Sequence, residues 1–183
     1  MELTVGITGA SGVQYGIRLL QVLKEKETTT HLIVSDSAAK LIELETDMNL
    51  LEIDELATFV YNDDDFTPPV ASGSYMHDGM IIAPCSMKTL ASIANGISDT
   101  LIARAADVCL KDNRSLIILP RETPLNLIHL RNMTTLKQAG ASILPASPAF
   151  YNKPKTIDDL IDFMVGRVLD LLCIKHNLYK RWG

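Results

Sequence analysis

Gly79-Met80-Ile81-Ile82-Ala83-Pro84-Cys85-Ser86-Met87-Lys88-Thr89 is the stretch whose reading decides the fold. Met80 to Ala83 is a short continuous apolar run of the kind a fully buried strand carries. Pro84 breaks it, and a helical pattern opens at Ser86. The chain then repeats the plan. A helical segment carries Arg104 and Lys111, and a second apolar run, Leu116 to Leu119, ends in Pro120-Arg121-Glu122. Two buried strands that each finish in a polar turn place those turns along one edge of a parallel sheet, which is the edge where open α/β sheets bind ligands.

Working outward, Leu3 to Thr8 reads as another buried strand, followed by Gly9-Ala10-Ser11-Gly12 and a helix from about 13 to 24 with Ile17, Leu19, Leu20 and Leu23 inward. Thr30 to Val34 is a strand, and Ser35-Asp36-Ser37 offers N-cap chemistry for a helix through Leu44. Between Met48 and Ser74 the pattern weakens to an acidic turn at Asn62-Asp63-Asp64-Asp65 and a long loop marked by Pro68-Pro69 and Gly73. Beyond the central strand come helices at about 86–94 and 99–112 and a strand at 115–119. A helix then follows Pro124, carrying Leu125, Leu127, Ile128, Leu130, Met133 and Leu136, and stops at Gly140. Ala141 to Leu144 is a last strand. The final amphipathic helix runs from Thr156 to Cys173, with Thr156 as its cap and Asp158 and Asp159 in its first turn. Strands alternating with helices predict an α/β fold: one three-layer, Rossmann-like domain over 1–183, with an open, mainly parallel sheet of about six strands flanked by helices.

Composition narrows the function. A chain of 183 residues, 47% hydrophobic, is long enough for a sizeable core. A net charge of −5 argues against nucleic acid or an anionic membrane as partner, so basic residues should act locally on a small anion. The three cysteines, Cys85, Cys109 and Cys173, form no CxxC pair and suit a reducing, cytoplasmic compartment. The N-terminus enters a strand directly, without a signal segment, and no apolar run approaches the roughly 18 residues of a membrane span. These features predict a soluble protein.

Several residues could carry chemistry. Gly6, Gly9 and Gly12 at a strand-to-helix turn permit close approach of a phosphate to free helix N–H groups, or simply a tight turn with close packing. Their spacing is neither GxGxxG nor a P-loop. Ser11, Ser35 and Ser86 each lie near a helix start, which favours the ligand reading. Arg104 and Lys111 share one helical face, as a binding pair or a solvated stripe. Glu122, next to Arg121, sits where an anion could also bind; a phosphate beside it would favour its protonated form and suit it to donate a proton to a leaving group. An ordinary Arg–Glu pair is the plainer alternative. The acidic run 63–65 reads as a solvated turn, Cys85 as a small turn residue, and His31 and His129 as structural. Tyr179 and Trp182 in the tail could cap a site or pack on a neighbour.

Thr8-Gly9-Ala10-Ser11-Gly12 with Tyr15-Gly16, Glu45-Thr46-Asp47, the run Ala83 to Ala91, Arg104 to Val108 with Lys111, and Pro120-Arg121-Glu122-Thr123-Pro124 resemble the UbiX-type flavin prenyltransferases, flavoproteins related to the flavin-containing Cys decarboxylases. The resemblance runs from Thr8 to Trp182 and is weakest at 48–74 and 112–115. It implies alkylation of reduced FMN by dimethylallyl phosphate at flavin N5 and C6, without a metal. The product would be prenylated FMN for a UbiD-type decarboxylase. It places FMN against Gly9, Ala10, Ser11, Ser35, Ser86, Met87, Lys88, Thr89 and Arg121. It gives the prenyl phosphate to Lys111, Glu122, Tyr151 and Arg167, with Arg104 nearby and Trp182 in a closing tail. Several of these are expected from adjacent subunits of a trimer-based homo-oligomer, commonly a dodecamer. Ser11 and Glu45 are candidates for moving the flavin protons, and Lys111 and Glu122 for assisting phosphate departure.

The nearest rival is an FMN-dependent decarboxylase of the peptidyl-cysteine or phosphopantothenoylcysteine type. That group carries a PASANT-like turn where this chain has Pro84 to Thr89, and a catalytic His near the first helix that this sequence lacks. A phenylacrylic or hydroxybenzoate decarboxylase lacks an obvious group to stabilise a carbanion. A non-catalytic FMN carrier would have no use for a second anion site.

Overall fold

The computed structural model describes residues Met1–Gly183, and its centre is a six-stranded sheet in which every neighbouring pair runs parallel. The strands are β1 (Glu2–Ile7), β2 (Thr29–Val34), β3 (Phe59–Asn62), β4 (Gly79–Cys85), β5 (Ser115–Pro120) and β6 (Ser142–Ile143), in the spatial order β3-β2-β1-β4-β5-β6. The helices are α1 (Gln14–Glu25), α2 (Asp36–Glu45), α3 (Leu50–Asp54), α4 (Met87–Ala94), α5 (Leu101–Lys111), α6 (Leu127–Gln138) and α7 (Ile157–Leu171).

Strand alternation divides the core in two. Leu3, Val5 and Ile7 of β1, Ile81 and Ala83 of β4, and Ile117 and Leu119 of β5 pack with α1, α2, α3 and α7. Met80, Ile82, Leu116 and Ile118 point the other way, into the apolar faces of α4, α5 and α6. Burial on both faces is what makes these strands read as continuous apolar runs. No helix is long and apolar enough to cross a membrane.

Four local expectations need correction. The weak segment 48–74 contains α3, β3 and a 3-10 turn, Pro69–Ala71, rather than one long loop. β3 escapes a sequence reading because it is a four-residue edge strand whose Phe59 and Val60 are nearly half exposed. Pro84 does not end β4. The strand continues to Cys85 with its register shifted between Ile82 and Cys85, the kind of irregularity that accommodates a residue with no N–H. Cys85 is accordingly a strand residue, fully buried, and that burial pushes its thiol pKa up. Finally, α6 starts at Leu127, three residues beyond Pro124, where Asn126 and His129 form a reciprocal cap. Its Leu127, Ile128 and Leu130 are 59%, 65% and 47% exposed, so part of its apolar surface looks out. The caps foreseen for α2 and α7 are present: Ser35 accepts from the Ala38 N–H at 3.3 Å, and Thr156 from the Asp159 N–H at 3.2 Å.

α1 is held against the sheet at Gly16. A Cβ built there falls well inside contact distance of the Ala83 carbonyl oxygen and lies 2.9 Å from Ile7 side-chain carbons. Gly16→Ala should cost about 1–3 kcal/mol through overpacking, seen as a lower urea midpoint with an unchanged slope.

Candidate functional site

The strand order reverses direction between β1 and β4, and the turns that leave these two strands therefore face each other across a crevice. Thr8, 1% exposed, joins them. Its N–H and Oγ1–H donate to the Pro84 carbonyl at 3.2 and 2.9 Å, and its Oγ1 accepts from the Ser86 N–H at 2.7 Å. The Ser35 N–H, at the end of β2, donates to the Ile7 carbonyl at 3.0 Å. Three strand ends are thereby fixed side by side.

Each neighbouring helix start adds to the crevice. Ser35 caps α2, Ser86 caps α4 through the Thr89 N–H at 3.3 Å, and Thr100 caps α5 through the Ala103 N–H at 3.3 Å. Three helix N-termini with their partial positive charge converge on one cleft, an arrangement suited to a phosphate. The cleft holds about 530 Å³ and is lined by Gly9, Ala10, Ser11, Ser35, Ser86 to Thr89, Arg121 and Glu122. Gly9 lets the first turn lie close against α2, because a Cβ there would collide with Ser37.

Arg121 leaves β5 with its N–H donated to the Cys85 carbonyl at 3.3 Å. Its side-chain Nε is buried and has no protein partner, an uncommon state for a guanidinium and one that a bound anion would relieve. The same cation lies near Tyr15, whose phenol pKa burial raises and Arg121 partly offsets. Glu122 accepts from the Thr123 N–H at 2.9 Å and reaches the cleft. Glu45 accepts from the Gly12 N–H at 2.7 Å, while its backbone carbonyl accepts from Gln14 Nε2 at 2.9 Å. The carboxylate thus holds the turn that carries Ser11.

The remaining candidates do not line the cleft of the single chain. Arg104 and Lys111 share the α5 face that turns towards 71–73. Arg104 Nε donates to the Ala71 carbonyl at 3.0 Å and its Nη1 pairs with Asp107 at 3.0 Å, while Lys111 Nζ lies 3.5 Å from Asp112. Tyr151 meets Trp182 edge to face at 5.2 Å, and Arg167 pairs with Asp170 at 3.0 Å. Trp182 itself is 82% exposed.

The structure also brings in residues that sequence reasoning passed over. Asp63 is not a solvated turn residue: its carboxylate accepts from the Ile102 N–H at 2.9 Å and its carbonyl from the Leu101 N–H at 2.7 Å. Burial raises its pKa, with the bonds from Ile102 and Thr100 opposing. Asp63, Asp99 and Thr100 line the cleft beside Lys88. The Thr100 cap before an apolar helical run was a readable signal.

Comparison with known proteins agrees with this geometry. The flavoprotein family model matches residues 1–169. A flavin prenyltransferase UbiX from Methanocaldococcus jannaschii is 55% identical over 183 residues, covering 100% of this chain and 99% of that protein. Among solved structures, a dodecameric FMN-dependent UbiX-like decarboxylase from Escherichia coli O157:H7 superposes with a TM-score of 0.98 at 47% identity, covering all of both chains. AnUbiX (PadA1), solved in complex with FMN and dimethylallyl pyrophosphate, also gives 0.98, at 48% identity, over 100% of this chain and 97% of that one.

The Thr8 bridge can be isolated by two substitutions. Thr8→Ser keeps both side-chain bonds, whereas Thr8→Val leaves the half-buried Ser86 N–H without its acceptor. Thr8→Val should be less stable than Thr8→Ser by about 1–3 kcal/mol in denaturant titration.

Proposed function

This chain belongs to the flavoprotein family and, within it, to the UbiX-type flavin prenyltransferases, and on that premise we propose that it joins the dimethylallyl group of dimethylallyl phosphate to N5 and C6 of reduced FMN. The observation that carries this reading is the cleft itself. It gathers the Gly9 to Ser11 backbone, the Ser35 and Ser86 hydroxyls at helix starts, and an Arg121 Nε with no partner in the protein.

These residues fit FMN. The helix N-termini offer N–H groups to a phosphate, the Gly9 and Ala10 backbone leaves room for a flat ring, and the buried Arg121 Nε supplies the donor a flavin edge would satisfy. When bound, reduced FMN supplies the nucleophilic nitrogen and carbon that receive the prenyl group. Ser35, Ser86, Met87, Lys88, Thr89 and Arg121 would hold it. Glu45, whose Oε2 already accepts from Gly12, keeps Oε1 to take a proton, with the Ser11 hydroxyl as a relay. Glu122 would donate a proton to the departing phosphate. Lys111, Arg167, Arg104 and Tyr151 would bind that phosphate and balance the charge that grows on it. Trp182 would present an aromatic face to an electron-poor allyl group and exclude water.

The whole chain, 1–183, acts in this reading as a single flavin-binding domain. Since Arg104, Lys111, Tyr151, Arg167 and Trp182 lie outside the cleft of one chain, their contribution is assigned to neighbouring copies. We therefore infer a trimer-based homo-oligomer, dodecameric like its relative from Escherichia coli. The exposed apolar side of α6 supports assembly. Prenylated FMN would pass to a UbiD-type decarboxylase. The cytoplasm is the inferred compartment, in keeping with three cysteines that are all free.

A decarboxylase of the peptidyl-cysteine type is the weaker reading. None of the four histidines lines the cleft. His31 is held by Glu2 and Tyr61, His77 by the Gly79 carbonyl, His129 by the α6 cap and His176 by Asp170.

Incubation with reduced FMN and dimethylallyl phosphate or diphosphate, followed by mass measurement of the released flavin, tests the proposal. A gain of one prenyl group is expected; an unchanged flavin with competent components would refute it. Glu122→Gln should bind FMN normally yet form product about a hundredfold more slowly. A wild-type rate in that variant would take Glu122 out of the mechanism.

A further inference from the structure

The last turn of α7 and the tail behind it meet on one carboxylate. Asp170 Oδ2 accepts from Tyr179 O–H at 2.5 Å and from Arg167 Nη1 at 3.0 Å. Its Oδ1 accepts from Arg181 Nη2 at 2.7 Å and from His176 Nε2 at 3.0 Å. An ionised carboxylate has about four lone-pair positions, and all are taken. The Leu178 N–H donates to His176 Nδ1 at 3.2 Å, which leaves Nε2 to carry the proton given to Asp170. Two guanidinium groups therefore share a single negative charge, and the cluster keeps a positive surplus. Burial acts to raise the Asp170 pKa, but the bonds from Arg181, Tyr179 and His176 prevail and hold it well below the usual carboxylate range.

The tail is pressed down where it crosses Gly166: a Cβ there would lie 2.6 Å from the Tyr179 ring and 2.7 Å from His176. From Tyr179 a chain of rings leads outward. Tyr179 packs on Phe163 at 4.8 Å, Phe163 on Tyr151 at 6.0 Å, and Tyr151 on Trp182 at 5.2 Å. Arg167 shows one bond to Asp170, which leaves other N–H groups of its fork for an anion.

We propose that Asp170 is a positioning residue for the prenyl-phosphate end of the site: by gathering Arg167, His176, Tyr179 and Arg181 it locks the tail onto α7 and sets the Arg167 fork and the Tyr151–Trp182 pair as one surface. This rests on the assignment of Arg167 and Tyr151 to the prenyl phosphate. A bare arginine at that place would swing freely; tied at one nitrogen, it meets the ligand already oriented, at a lower entropic cost.

Trp182 is the chain's sole tryptophan, so its fluorescence reports the tail alone. In the assembled protein, Asp170→Asn should increase acrylamide quenching of Trp182 and raise KM for dimethylallyl phosphate about tenfold, with kcat and FMN affinity within about twofold of wild type. Arg181→Met, which removes one exposed donor, should move both readouts in the same direction by less and guards against a folding failure of Asp170→Asn. Unchanged quenching and KM in both variants would overturn the proposal, as would equal losses in kcat, KM and FMN affinity. Arg167→Met serves as the separate control. It should raise KM without affecting Trp182 quenching; a normal KM there would remove the prenyl-phosphate assignment itself, and the proposal with it.

Discussion

The hydroxyl of Thr8 is the contact on which the functional edge of this molecule depends. Pro84 has no N–H to give, and the pairing of β4 with β5 slips in register beside it. On the β1 side, Thr8 gives both its N–H and its hydroxyl hydrogen to the Pro84 carbonyl and receives one from the Ser86 N–H. A side chain thus reinforces backbone pairing at the place where two strands give way to two loops. The Gly9 to Ser11 turn and the Ser86 to Thr89 turn owe their relative positions to that joint. Without it, each loop would still have a sequence suited to a phosphate, but no fixed partner across the crevice.

The all-parallel sheet supplies the rest. Because every strand runs the same way, the helices that directly follow β2 and β4 begin at the same edge, and α2 and α4 bring unpaired N–H groups to one cleft, while the first-turn N–H groups of α5 are taken by Asp63 and Thr100. Anion binding there is a property of the topology before any side chain is considered. The side chains refine it. Serines and a threonine serve as caps and as potential ligand contacts, and Arg121 adds a charge whose Nε has been taken from water without a protein acceptor. A cap on α5 by Thr100, tied through Asp63 to the end of β3, closes one wall.

Much of this was legible in the sequence because strands buried on both faces advertise themselves. β1, β2, β4 and β5 carry the apolar runs, and the serines that follow β2 and β4, Ser35 and Ser86, are cap residues before they are anything else. The failures have physical causes. β3 is short, on the sheet edge and half wet, so it shows neither a continuous run nor a clean alternation. Asp63 looked like part of a hydrated acidic turn, since nothing local reveals that α5 docks its N-terminus there, 39 positions along the chain. Pro84 looked like a strand end because the hydroxyl that lets the strand continue lies 76 positions away. Tyr151 and Arg167 are proposed for the site through family likeness alone, whereas a shared helical face and a place in the tail had also pointed to Lys111 and Trp182; spacing could not have joined any of the four to a cleft that one chain does not let them line.

The outward apolar face of α6 matters outside the active site as well. Leu127, Ile128 and Leu130 are exposed in a single chain, and burying such surface is worth about 25 cal/mol per Å². In the proposed assembly a newly made subunit would carry that face uncovered until it meets its copies, and any other hydrophobic surface could compete for it. Assembly slows with dilution while unfolding of the lone subunit does not, so the two compete on terms set by the rate of synthesis. A low supply of chains would then lose protein to aggregation or proteolysis, and the yield of working enzyme would fall more steeply than the supply.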